Sequence, residues 1–189
     1  NEVTFTLTGH ADTVLVKGAA AEQMDDGSFV RNLQEAGRPV IPGSSIKGVI
    51  RARASMIAKW KGLPDSTVDD IFGRESGEED NGIAGRFQFE DCRMSSDKTR
   101  KISRIRINRF TGGVIRQGLF REEPVCSKVS LRITAPTDCP VGCGLLVYAL
   151  RDLGLNLINL GSGDAIGRGR ISTDSIRIEM PDGETASIT

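Results

Sequence analysis

Ser44, Ser45, Lys47 and Arg51 follow an apolar step, Val40-Ile41, that ends at Pro42-Gly43. Pro-Gly is a strong local breaker. Either serine can cap a helix starting there, with Lys47 and Arg51 one turn apart on it. Backbone N–H groups at a helix start, joined by a lysine and an arginine, form a site for phosphate oxygens. A second candidate is the run Gly161-Ser162-Gly163-Asp164-Ala165-Ile166-Gly167-Arg168-Gly169-Arg170. Gly163, Gly167 and Gly169 let a backbone approach a phosphate chain closely, and Arg168 and Arg170 add charge. The run is neither a dinucleotide fingerprint, because Ile166 stands where the third glycine belongs, nor a P-loop, because no Gly-Lys-Ser/Thr closes it. An ordinary loop closing a sheet is the plain alternative. A third candidate is the stretch 102–120, where Arg104 and Arg106 alternate with Ile105 and Ile107, so the arginines share one side of a strand. With Arg109, Phe110, Val114, Ile115 and Phe120 nearby, it suits an element that separates strands or displaces a base. An edge hairpin kept soluble by its charge fits the same residues.

Other groups carry weaker signals. Asp25 and Asp26 precede the Pro-Gly-Ser-Ser step by about 20 residues. Paired carboxylates hold Mg²⁺ or Mn²⁺ beside phosphates, but Asp-Asp-Gly is also an ordinary turn. His10 is the only histidine and follows a strand, which favours a surface role over acid–base work on RNA. Cys139 and Cys143 have a C-x₃-C spacing open to half of a zinc site, but Cys92 and Cys126 are isolated and no Cys/His pair completes the set, which disfavours zinc. Four cysteines in 189 residues do not make a disulfide scaffold, no run approaches the roughly 20 apolar residues of a membrane span, and no signal peptide is visible. These features predict a reduced, cytoplasmic protein with no membrane partner. The first residue is Asn1 rather than methionine, which permits a segment of a longer polypeptide.

Lys+Arg and Asp+Glu both number 25, so net charge selects no partner. Its distribution does. Residues 44–61 hold five basic side chains and residues 98–109 six, with no acid in either stretch. Segregated charge of this kind points to a local polyanion-binding face.

Elements must position these groups. Alternation of Val3, Phe5 and Leu7 with threonines predicts a half-buried strand over 3–8, which Val14–Val16 extends or follows. Residues 18–38 read as a long loop and 44–61 as a helix, with Ile46, Val49, Ile50, Ile57 and Trp60 on one face. A short helix over 66–72, an acidic loop over 75–85 and a strand over 86–92 follow. The basic hairpin turns at Gly112-Gly113. After it come a strand over 125–134, a helix over 144–153, the glycine loop and a strand over 171–180. Leaving out the hairpin, the order β-α-β-β-α-β predicts an α+β fold, the ferredoxin-like (RRM-like) arrangement with both helices on one face of an antiparallel sheet.

Pro42-Gly43-Ser44-Ser45-Ile46-Lys47-Gly48-Val49-Ile50-Arg51 resembles the Pro-Gly-Ser-Ser-hydrophobic-Lys-Gly-x-x-Arg element of the RAMP superfamily, RNA-binding proteins of CRISPR effector complexes. Residues 161–170 resemble its glycine-rich loop. The stretch 107–113, with Gly118-Leu119-Phe120 and Glu122-Glu123 downstream, resembles the thumb of type III backbone subunits. The resemblance implies a single RAMP domain over 1–189, whole or as one domain of a fused chain, with a thumb insertion at about 98–124. It also implies a subunit that stacks with copies of itself or other RAMP subunits along guide crRNA. The thumb would wedge into the guide–target duplex, flipping out a nucleotide. Asp26-Gly27-Ser28-Phe29-Val30-Arg31 matches the family's aspartate loop and makes Asp26 the catalytic and metal-holding residue for cleaving target RNA with Mg²⁺ or Mn²⁺. Two other readings stay open: a non-catalytic RNA-binding scaffold, and a guide-processing endoribonuclease using His10.

Overall fold

Alternation decides how the first strand faces. In the computed structural model, which describes residues 1–18, 29–76, 81–95 and 98–188, β1 spans Glu2–Val14. Val3, Phe5, Leu7 and Ala11 are buried, while Thr4, Thr6 and Thr8 look the other way. The strand runs past Thr8 because a bulge at Thr8/Gly9 carries it on, which periodicity alone does not reveal.

Within the expected loop 18–38, three short strands form or begin: β2 (Val30–Arg31), β3 (Gln34–Glu35) and β4 (Arg38–Ile41). Next come α1 (Gly43–Trp60) and α2 (Asp65–Phe72), close to the bounds expected. β5 (Gly73–Arg74) pairs with β6 (Ile83–Ala84). The strand expected over 86–92 is two pieces, β7 (Gln88–Phe89) and β8 (Cys92–Arg93), which join different sheets: β7 pairs with a central strand and β8 with β4. β9 (Lys98–Thr99) precedes the hairpin β10 (Ile102–Ile107) and β11 (Val114–Glu123). β12 (Val125–Pro136), α3 (Pro140–Gly154), β13 (Arg170–Glu179) and an unforeseen β14 (Thr185–Ile188) complete the chain.

The main sheet runs β14-β13-β1-β12-β7, with antiparallel neighbours throughout. Setting β14 aside, this places the fourth, first, third and second core strands side by side, the ferredoxin-like arrangement. The helices cover one face. Ile46, Ile50 and Ala54 of α1 and Leu146, Leu150 and Leu153 of α3 share a core with Phe5, Leu7, Leu131 and Ile133. Each large apolar side chain removed from water there contributes roughly 1.5–3 kcal/mol. A buried ion pair braces the helices, with Arg53 Nε donating to Asp152 Oδ2 at 2.7 Å. Burial pushes the Asp152 carboxyl up, but hydrogen bonds from Arg151 and Arg53 outweigh it and hold it below the ordinary value. Among the described residues, no helix is long and apolar enough to cross a membrane.

Candidate nucleic-acid interface

The start of α1 is built differently from the serine cap expected. Pro42 is the N-cap, extended at φ −61° and ψ 143°, and makes no side-chain cap hydrogen bond. Gly43 is already helical, so neither serine has the cap geometry. The Pro42 carbonyl accepts from the N–H groups of Ser45 and Ile46 at 2.9 and 3.1 Å. Asp91 reaches in from outside the helix and accepts the Gly43 N–H at 2.7 Å. This carboxylate occupies a place where a phosphate would otherwise be held, and it stabilises the positive end of the helix. Gly43 is obligatory, since a Cβ there would lie 2.1 Å from the Phe89 carbonyl oxygen. Ser44 is exposed and Ser45 half-buried.

Lys47 and Arg51 do not form one clamp. Lys47 is half-buried and has no acidic partner among the described residues. Arg51 turns to the end of α2, where Nη1 donates to the Gly73 carbonyl at 2.7 Å and Nη2 lies 3.5 Å from Asp69 Oδ1. Its charge is spent on the C-terminus of a neighbouring helix.

The glycine loop is also folded onto its own protein. Gly163, Gly167 and Gly169 all have positive φ, flanking or following a short 3-10 turn at Asp164–Ile166. The Leu160 N–H donates to the Gly169 carbonyl at 2.8 Å and the Ser162 N–H to the Leu15 carbonyl at 2.8 Å. A Cβ on Gly169 would sit 2.0 Å from the Leu160 oxygen, so this glycine serves close packing between loop strands. The loop N–H groups of Ile166, Gly167, Arg168 and Gly169 bond within the protein rather than facing a ligand. Arg170 is exposed at the edge of β13.

Arg168 is buried, and its Nη1 meets Glu122 Oε2 at 2.5 Å. Glu122 also accepts from Arg104 at 2.6 Å and from Lys17 at 3.1 Å. One buried carboxylate thus joins the exit of β1, the root of the hairpin and the glycine loop. Burial alone would raise the Glu122 carboxyl, but hydrogen bonds from Arg104, Lys17 and Arg168 dominate and hold it at about 2. The adjacent Glu123 is lowered too, chiefly by the Thr99 hydroxyl and also by Arg31, whose Nε lies 3.0 Å away. Arg168 and Arg104, expected to bind RNA, are therefore engaged internally. The sequence reading missed Glu122, Glu123 and Asp91 as positioning residues. The acidic pair interrupting the end of a strand that carries Phe120 was the available signal.

Beside Lys47 and the exposed Arg170, the outer hairpin remains for a ligand. Arg106 lies over the Phe120 ring at 5.4 Å, is exposed and has no acidic partner among the described residues. At the tip, Asn108 Oδ1 accepts the N–H groups of Phe110 and Thr111 at 2.8 and 3.3 Å. This fixed turn presents Arg109, also exposed, and Phe110, 92% exposed.

Asp25 and Asp26 lie outside the described residues. His10 sits on β1 between Lys128 and Ser172, on the face of the sheet away from the helices, with no position on a helix or loop. Cys139 donates to Asp70 at 3.6 Å, and burial pushes the Cys139 and Cys143 thiols up. Among the described residues, no three His, Cys, Asp or Glu side chains stand together as a metal site. Compared with known families, the chain matches the RAMP superfamily model over residues 29–172. No curated protein matches it.

Proposed function

Since this chain belongs to the RAMP superfamily, whose members are CRISPR-associated RNA-binding proteins, we propose that it is a guide-RNA-binding backbone subunit of a type III-like effector. Its partners in this reading are guide crRNA, paired target RNA and neighbouring RAMP subunits. The observation that carries the reading is the split among its cations. Arg51, Arg104 and Arg168 are neutralised inside the fold, whereas Lys47, Arg106 and Arg109 have no acidic partner among the described residues. Unpaired cations on a helix start and on a projecting hairpin suit phosphates along a strand, and the bare Phe110 suits a displaced base.

The test is salt-dependent binding of guide-length RNA. Lys47→Ala, Arg106→Ala and Arg109→Ala should each weaken binding for all sequences alike and lower the salt slope by about 1. A triple variant with unchanged affinity and slope would sink the reading.

The catalytic half of the proposal rests on Asp26, with Mg²⁺ or Mn²⁺ as the ion it would hold. In assembled complex, Asp26→Asn should abolish cutting of complementary RNA while leaving its binding near wild type. Full cutting by that variant would leave a scaffold that binds without cleaving.

A further inference from the structure

The outer face of the helix layer carries large apolar side chains that the described residues leave uncovered. The ion pair Arg53–Asp152 ties α1 to α3 and fixes which sides of the two helices meet. On α1, Val49, Met56 and Trp60 stand four before, three after and seven after Arg53, so they share its side. On α3, Tyr148 and Leu155 stand four before and three after Asp152. Trp60 is 80% exposed, Met56 63%, Leu155 61% and Tyr148 45%. Leu157, just after α3, is 59% exposed. Between α1 and the segment after α3 lies a groove of about 480 Å³, whose lining includes Val49, Arg53, Met56, Leu157 and Ile158. An apolar patch of this size on a folded chain marks a contact site. Its residue types are those that carry binding energy between proteins: a tryptophan, a tyrosine and two arginines, with Arg151 over the Tyr148 ring at 5.1 Å.

The charge beside this patch is one-sided. Residues 44–61 hold five cations and no acid. Lys59 and Lys61, exposed on either side of Trp60 in the sequence, have no acidic partner among the described residues. Arg53 and Arg151 share the single carboxylate of Asp152, which leaves one positive charge over. Asp164, the one acid among the described lining residues, accepts the Ala165 N–H at 2.8 Å. We propose that this face docks an amphipathic helix of a partner protein. The partner's apolar stripe lies in the groove, and its flanking glutamates or aspartates meet Lys59, Lys61 and the arginine pair. A helix in a groove presents anchors one turn apart, the same spacing as the stripe Val49, Met56 and Trp60 that receives them. Single-stranded RNA fits the face less well. Met56, Leu155 and Leu157 offer a base no ring to stack on, and Lys61 already covers the Trp60 ring at 4.7 Å. The contact is separate from guide binding, since Lys47, Arg106 and Arg109 lie outside the groove lining.

Trp60 is the only tryptophan of the chain, so its emission reports on this face directly. The probe is a tryptophan-free peptide of leucine, alanine and glutamate, as long as α1 at 18 residues, with its leucines on one helical face. Titrated into the full chain, it should shift Trp60 emission to the blue and saturate. A peptide of the same composition with scattered leucines, and one with lysine in place of glutamate, should each bind about tenfold more weakly or worse. Met56→Glu should weaken binding of the glutamate peptide by a similar factor, and the double variant Lys59→Glu, Lys61→Glu should reverse the preference between glutamate and lysine peptides. All three side chains are exposed, so both variants should melt as the wild type does. No shift, equal binding of the scattered peptide, or a wild-type preference for the lysine peptide would overturn the proposal. A blue shift on raising the chain's own concentration without peptide would overturn it in favour of a second copy. Displacement of the peptide by oligouridylate would overturn it in favour of RNA.

Discussion

A carboxylate ringed by three cations behaves unlike a surface acid. Glu122 is 4% exposed and is held at about 2, against 4.5 for a free glutamate side chain. Because the folded value is the lower one, its stabilisation is complete above the unfolded value and fades as pH falls from about 4.5 towards 2. That interval corresponds to roughly 3 kcal/mol at most. Urea unfolding followed down through this range should therefore show an acid-labile limb that Glu122→Gln flattens. At neutral pH the same variant should lose about 3–5 kcal/mol, because Lys17, Arg104 and Arg168 are left without their counter-charge. A variant with an unaltered acid limb would show that other carboxylates set it. Single residues were also where the sequence was least legible. It displays Arg168 and Arg51 as charged groups among glycines or on a helix, but it does not display their partners. Glu122 is 46 positions from Arg168, and Asp69 is 18 from Arg51. Only folding brings those acids in, and with them the arginines change from ligand groups to braces.

Elements were read with more success, since each is fixed by its own pattern. The alternation of β12 needed nothing beyond local periodicity, whereas on α1 periodicity placed Ile46 and Ile50 inward but not Trp60, which is 80% exposed, while Ala54 and Ala58 complete the buried stripe. α3 starts at Pro140 rather than at the expected 144: Gly142 and Gly144 weaken the helical signal of its first residues, and the proline at the helix start is the better guide. β14 escaped because its side chains are all exposed and only its pairing with β13 makes it a strand. Two glycines of α1 give a matched test of what fixes this helix. Gly43→Ala should destabilise by several kcal/mol, since its Cβ would meet the Phe89 backbone, which cannot swing aside. Gly48→Ala meets nothing within 4 Å and should stabilise by about 1 kcal/mol. Thermal melts of the pair should move in opposite directions. The hairpin offers a second test. Replacing 108–113 by an Asn-Gly turn removes a tip whose bonds stay within the hairpin, so the melting temperature should hold while guide–target duplex binding falls. A collapse of the fold would assign the tip to the core instead.

At the scale of the molecule, element order was enough to give the sheet, because a βαββαβ chain with two helices on one face has few ways to pair its strands. The polar junction beneath the hairpin was not legible, since it joins residues 17, 31, 99, 104, 122, 123 and 168 from across the chain. The segment that carries Asp26 is entered and left through this junction. Lys17 pairs with Glu122, Arg31 pairs with Glu123, the Val16 N–H donates to Asn32 Oδ1 at 2.7 Å, and the Leu33 N–H donates to the Val16 carbonyl at 2.8 Å. Bonds outside residues 19–28 thus close both ends. Replacing 19–28 by a Gly/Ser segment of equal length should leave the melting temperature within a few degrees of wild type and remove any target cutting. Calorimetry and a cleavage assay on the same preparation check the two halves.

The neighbouring glutamates at the end of β11 have a mechanical meaning. They are two pins in one rigid strand, one gripping the chain on its way into the aspartate segment and the other on its way out. The hairpin is then a lever with its fulcrum at Glu122-Glu123: a load that tilts its tip must drag Lys17 and Arg31 with it or break two ion pairs. A force on the hairpin tip would thus be felt first at Lys17 and Arg31, on the two sides of the aspartate segment, before it reached the sheet.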